Sequence, residues 1–465
     1  MPELDPNPPS QPPPSPPPGA ALGPIVTLAL GLRYAQLPAP VVAKLKWLLL
    51  DGIAAMAMGS RQEQGRRLLD AARATPPSGR CTVVGSDRTA SLSEAALLNT
   101  ALAQVQDAND VRRIARRDGG SNHPGRCVVP VALVLGEHAR LTGPGLVELL
   151  AVGYEVVCRV RTRVQKHGHS SAIAAMVGRV FGLSAPELRR ALVVAHLGFP
   201  LPLLGAPLED DYLVNGLIAG AALDAARLSR TGSDADPALY NARLGTGFPT
   251  AGSPADRYAV SDVSIKPYPC CRALHGAIDL ALELRDDAGV AAADVERLEV
   301  RVGNSRDHAF PPAPPEASHK QCQFSLPYVV ACAFLDGRVD EASFGRARIA
   351  SPDVHAFQQR VRVVRDERLR YNPVGLVARM RPTVIQVRTT DGRTLERSTM
   401  SPKGSPFNPL SEDELRRKFH AWAGPSLGPE ASRHVLETVS QLEAVPDVAG
   451  LVAHLQGPAA APEAG

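Results

Sequence analysis

Lysine is scarce in this chain. Of 51 basic residues only seven are lysine, so each lysine is an unusual choice in an arginine-rich background. No C-x-x-C spacing occurs, and seven cysteines is an odd number in 465 residues. That argues against a disulfide framework or a zinc ribbon and for reduced thiols in a cytoplasmic protein. No stretch of about 18 residues reads as a membrane span. Val41–Met58 is interrupted by Lys44, Lys46 and Asp51, and Ala191–Leu208 by Pro200, Pro202 and Pro207. An excess of one charge is missing too: the net charge is +4, which gives no reason to expect nucleic acid as a partner. What remains is ordinary globular composition, 44% hydrophobic and 21% charged. At about 150 residues per domain, the length suggests two or three domains.

The pattern along the chain divides it. Residues 1–19 are dominated by proline and are expected to form an extended tail, without the basic start and apolar run of a signal peptide. Residues 457–465 are expected to be a second disordered tail. Between 20 and 259 the pattern is helical, with apolar residues three and four apart in Val41–Ala57, Ser93–Val105, Gly145–Val160, Ala185–His196 and Val214–Ser229. Recurrent Ala and Gly in these segments allow close helix packing. Residues 260–401 read as α+β. Val295–Val302, Arg360–Asp366 and Thr383–Ser398 alternate like strands, and Asp391-Gly392 marks a hairpin. A helix is expected around Tyr328–Leu335, and another from Pro269 to Arg285, because proline suits a first helical position. From 402 to 456 the helical pattern returns, opened by a Ser411–Glu414 capping box. The predicted fold is mainly α: a large all-helical domain built from both chain ends plus a smaller α+β lid domain.

Four stretches carry residues suited to chemistry. In Gln106–Pro130, Asp107 and Asp110 follow an apolar helix, and a Gly-Gly loop leads to His123-Pro124-Gly125. A histidine held in a turn on a rigid scaffold is where catalytic groups concentrate. The plainer alternative is that these side chains only satisfy helix ends. Arg112, Arg113, Arg116 and Arg117 offer anion binding or simply a solvated basic loop. In Lys166–Leu183, His167 or His169 precedes a small-residue helix that Ser170 caps, a start that favours anions. In Ser264–Leu282, Lys266 lies just ahead of the expected helix, on which Cys271 and His275 are spaced i,i+4. Adjacent cysteines are poor tetrahedral ligands, so no metal is expected. In Gln323–Gly337, Tyr328 follows Pro327 at a helix start, facing either a cleft or the core.

Taken together, these pieces resemble the MmgE/PrpD family, which includes 2-methylcitrate dehydratase, cis-aconitate decarboxylase and iminodisuccinate epimerase. The matching elements are LLLDGIAAMAMGS at Leu48–Ser60, the Asp…His-Pro element, GYEVVCRVR at Gly153–Arg161 and FGLS at Phe181–Ser184. They continue with Lys-x-Tyr-Pro-x-Cys-x-x-x-His at 266–275, FSLPYVVACAFLDG at Phe324–Gly337 and NPLSEDELRRKF at Asn408–Phe419. They follow one another in family order over nearly the whole chain.

The resemblance implies a two-domain subunit, a homodimer, and a cleft that takes a small-molecule carboxylate without metal or organic cofactor; neither nucleic acid nor membrane is a partner. Asp107 and His123 match the family's active-site aspartate and histidine, Lys266 and Tyr328 its lysine and tyrosine, and His275 a recurrent histidine. A second site histidine falls at His169, with His167 as the rival. Arg126 and Arg272 are candidates for substrate carboxylates. Two positions depart from the pattern. Asp211 stands where some members carry a lysine, and Gln323 where a basic residue is common, which suggests a substrate with fewer carboxylates than methylcitrate. The chemistry common to the family forms a carbanion or enolate beside a carboxylate. That needs a base near neutrality, here His123, oriented by Asp107. It also needs donors at the oxyanion, here Lys266 and Tyr328. The expected activity is a hydro-lyase like 2-methylcitrate dehydratase, with a decarboxylase, an epimerase or a diverged non-catalytic homologue as alternatives. Lys266→Ala is expected to remove activity while leaving the fold intact.

Overall fold

The computed structural model describes residues 22–113, 121–160, 165–197, 209–231, 258–303, 311–369 and 382–457. The proline-rich tail at 1–19 and residues 458–465 lie outside the described residues. Two separate hydrophobic cores organise the rest. One gathers residues from Leu22 to Ile265 and again from Phe419 to Leu455; the other runs from Cys270 to Val387. The fold is thus mainly α and made of two domains, with the larger one built from both ends of the chain.

At the centre of the larger body lies the helix Ala39–Ser60, started by Pro40 in its first turn. Every residue from Leu48 to Ser60 is buried, so the helix is apolar all round and needs neighbours on every side. They include Leu92–Val105, Gly125–Ala139, Gly143–Arg159 and the C-terminal helix Glu412–Leu427. Small residues set the spacing. A Cβ on Gly59 would lie 2.0 Å from the Leu102 carbonyl oxygen, so only glycine allows these two helices to approach so closely. The Ser411–Glu414 capping box forms as the sequence suggests.

The body is not purely helical. A short hairpin joins Cys81–Thr82 to Thr89–Ala90, and a three-stranded sheet pairs Val111–Arg113 with both Ser121–Asn122 and Val263–Ser264. The second of these sheets builds the site described below.

In the smaller unit a four-stranded sheet is ordered Val361–Arg365, Val295–Val302, Thr383–Thr389, Thr394–Thr399. The first pair is parallel and the others antiparallel, and the last two strands form the hairpin at Asp391-Gly392. Leu298, Val300 and Val302 alternate onto the buried face, where the helices His275–Asp286 and Leu326–Asp336 cover the sheet. One element departs from expectation. No helix starts at Pro269. Cys271 is extended and its N–H bonds the Gln323 carbonyl, so a single 3₁₀ turn, Arg272–Leu274, precedes a helix that begins only at His275. Cys271 and His275 therefore do not share a helical face. Among the described residues no helix is long and apolar enough to cross a membrane.

Candidate active site

The helix Leu92–Val105 ends at Gln106, whose backbone is extended and turns the chain toward Asp107. Four residues later the strand Val111–Arg113 begins, and its Val111 pairs with Ser264. That register brings Lys266 to Asp107 across 159 positions of sequence. Lys266 Nζ donates to the Asp107 carbonyl at 2.7 Å and lies 3.0 Å from its Oδ2. Lys266 is 0% exposed and Asp107 6%. Burial pushes the Asp107 carboxyl up, but Lys266, helped by Lys320, outweighs it and holds the group well below the usual carboxylate range.

His123 sits between the strand Ser121–Asn122 and the helix Gly125–Ala139. Its Nδ1 is 3.1 Å from the Asp110 carbonyl oxygen. A proton on Nδ1 directed at that oxygen leaves Nε2 as the basic atom. Burial, then Arg126 and Lys266, drive the imidazole well below its usual value, against Asp107 and the Asp110 carbonyl. His123 is therefore neutral at pH 7. Asp110 fixes the turn that carries it. One Asp110 oxygen accepts from the Gly125 N–H at 2.7 Å and the other from the Tyr154 hydroxyl at 2.7 Å. Burial and the neighbouring Asp51 push the Asp110 carboxyl up to about 7.

Two further cations complete the cluster. Arg126, in the first turn after His123, places Nη1 3.7 Å from Asp211 Oδ2. Lys320 stands on the five-residue helix His319–Gln323, itself held by a Ser318–Gln321 capping box. Lys320 was not singled out from the sequence, although its being one of seven lysines was a usable signal. Gln323 is tied down by its amide, which donates to the Gln106 side chain and, at 3.0 Å, to the Pro269 carbonyl. The position expected to be basic thus holds the junction together, and Lys320 supplies the charge one turn earlier. Lysine 320 is part of a wider pattern. Lys44, Lys266, Lys320 and Lys418 belong to one electrostatic network with Asp51, Asp107 and Asp110. Within it Lys418 pairs with Asp51 and lies 3.9 Å above the Trp422 ring.

The remaining sequence candidates make contacts of their own. Tyr328 is buried in the core of the smaller domain, where its hydroxyl donates to the Ser343 carbonyl. The helix start at Ser325 packs the ring within that core, tilted against Phe344, so the hydroxyl expected at the oxyanion is here engaged by the backbone. Arg272 donates to the carbonyls of Lys403 at 2.7 Å and Pro402 at 3.1 Å, and lies 2.9 Å from His275 Nδ1. His275 Nε2 is 3.2 Å from the Cys270 carbonyl. Burial, Arg272 and Lys266 lower its imidazole well below the usual value. Both residues brace the segment that delivers Lys266. His169 is buried in the helix Gln165–Val180; the side chain of His167, in the same helix, lies outside the described residues. Arg112 turns to the Cys158 carbonyl at 2.6 Å and to Asp262 at 3.7 Å. The side chains of Arg113, Arg116 and Arg117 lie outside the described residues. None of the seven cysteines forms a disulfide. Among the described residues no group of three or more His, Cys, Asp or Glu is placed to hold a metal.

Residues 24–254 match the MmgE/PrpD N-terminal domain, and residues 268–444 match the MmgE/PrpD C-terminal domain. The chain belongs to the MmgE/PrpD family. Its relatives include the cis-aconitate decarboxylase of Mus musculus, 24% identical over 469 residues that cover 93% of this chain and 93% of that protein. The cis-aconitate decarboxylase of Homo sapiens is 25% identical over 92% of this chain and 93% of its own length. That of Aspergillus terreus is 20% identical over 92% and 94%. These MmgE/PrpD relatives support an enzyme, and lyase chemistry fits them. The narrower hydro-lyase expectation finds no counterpart in their names.

Proposed function

We propose that this MmgE/PrpD protein is a lyase that removes CO2 from a small unsaturated polycarboxylate of the cis-aconitate type. The observation that carries the reading is the buried cluster of Lys266, Lys320, Arg126 and Asp107 beside the His123 turn. Cations in a low-dielectric junction hold carboxylates far more strongly than cations in water. When the C–C bond to one carboxylate breaks, CO2 leaves and the electron pair passes into the remaining unsaturated carboxylate as a dienolate. Ammonium groups beside that oxyanion, Lys266 first, stabilise it. A proton must then reach carbon, and His123 is the group placed to deliver it. Burial, with Arg126 and Lys266, holds the imidazole toward its neutral form. A bound polyanion offsets both fields and favours the imidazolium, so the acid forms where substrate is present. After the transfer, water restores the proton. The family resemblance further supports a cytoplasmic homodimer.

A second reading, dehydration of a hydroxy polycarboxylate, is favoured by the same neutral His123, which is already a base. Incubation with cis-aconitate, citrate and 2-methylcitrate in D2O, followed by proton NMR, separates the two. We expect cis-aconitate to lose CO2 and the product to gain one deuterium on carbon. Loss of water from the hydroxy acids, with cis-aconitate untouched, replaces the first reading by the second. No turnover of any of these acids overturns both.

A further inference from the structure

We infer that Lys320 is a carboxylate-binding residue contributed by the smaller domain, and that it takes the role for which Gln323 has no charge. The inference rests on the polycarboxylate reading above. Lys320 is 6% exposed, yet among the described residues its ammonium makes no hydrogen bond and no ion pair. An ammonium withdrawn from water without a partner is costly, so the Lys320 charge sits unbalanced in the junction. Burial, Lys266 and Arg126 act to lower its pKa, while Asp107 and Asp211 act to raise it. The groups that set its charge are thus those of the site itself.

The other cations each face a carboxylate of the chain. Lys266 is bound twice to Asp107, and Arg126 faces Asp211. Lys320 has all three donors available. Its direction is fixed by the short helix: Gln323, three residues on and so on the same face, reaches Gln106, the residue before Asp107. A ligand carboxylate between Lys320 and His123 would meet the least committed charge in the junction and would link the two domains through it. The ligand class is an aliphatic polycarboxylate with one carboxylate at Lys320.

The test uses the full chain and propane-1,2,3-tricarboxylate, a saturated acid that cannot be decarboxylated through a dienolate. Its binding is titrated by calorimetry to wild type, Lys320→Met and Lys320→Arg, with melting curves recorded without ligand. One lost charge-assisted contact should weaken binding to Lys320→Met on the order of ten- to a hundredfold. Its melting temperature should hold or rise, because the variant removes an unbalanced buried charge. Lys320→Arg should recover part of the binding. Undiminished binding to Lys320→Met overturns the inference while leaving the polycarboxylate reading standing. A lower melting temperature together with weaker binding also overturns it, because Lys320 would then be a structural residue. If wild type does not bind the tricarboxylate at millimolar concentration, the polycarboxylate reading fails and this inference falls with it.

Discussion

Lys266 and Asp107 form a buried ion pair, and neither partner can be removed on its own. From the sequence, Lys266→Ala was expected to cost activity alone. The structure changes that expectation, because the variant strands the Asp107 carboxylate, 6% exposed, without its main counter-charge. Breaking one side of such a pair costs about 3–5 kcal/mol. Lys266→Ala should therefore lose both turnover and several degrees of melting temperature, whereas Lys266→Ala combined with Asp107→Asn should regain stability without activity. A single variant that melts like wild type would contradict this account. The residue scale also shows the limit of reading by type. Tyr328 was as plausible a site residue as Lys266, but a side chain's direction is decided by the helix start beneath it, and here that start points the ring into the core.

At the scale of elements, the three-stranded sheet does most to assemble the site. It has only two or three residues per strand, yet it brings together the loop of Asp107, the turn of His123 and the approach to Lys266. Such short strands leave almost no alternation in the sequence, so they were not legible as strands. The His123 turn depends on a further close contact. A Cβ on Gly125 would lie 2.6 Å from Asp110 Oδ2. Gly125→Ala should push the carboxylate away from Tyr154 and the Gly125 N–H and shift His123. A displacement on the order of 1 Å at a catalytic group can cost about a hundredfold in rate. We expect a fall in kcat of at least tenfold with a change of only a few degrees in melting temperature, measured side by side. Unchanged kcat would show that Asp110 does not position His123. The misread helix at Pro269 has a similar origin. Its N-terminal half was diverted by a bond from Cys271 to Gln323, a partner far off in sequence.

At the scale of the whole molecule, the fold keeps histidines neutral inside two domains. Burial first, then neighbouring cations, lowers His123, His275 and His319 below 6.5. The unfolded chain takes up these protons more readily than the folded one. The stability they contribute is complete above about pH 6.5 and is lost as the pH falls from there toward the folded values. Melting temperature should therefore decline between pH 7 and pH 5, and His275→Gln should show a shallower decline even if its absolute stability is lower. An identical slope in wild type and variant would remove His275 from this account.

The sequence alone determined the mainly α class, the change to α+β in the middle of the chain, the strands of the four-stranded sheet and the family. Each of these follows from periodicity, turn chemistry or the order of motifs, which are local properties. It also marked Asp107, His123 and Lys266. Only the tertiary structure decided that Lys266 is locked to Asp107, that Tyr328 and Arg272 donate to backbone carbonyls, and that Lys320 brings its charge into the junction. Those outcomes depend on burial and on contacts between segments more than 100 residues apart, such as Asp107 with Lys266 and Gln106 with Gln323. The free energy of a charge depends on what surrounds it, and no spacing along the chain records that.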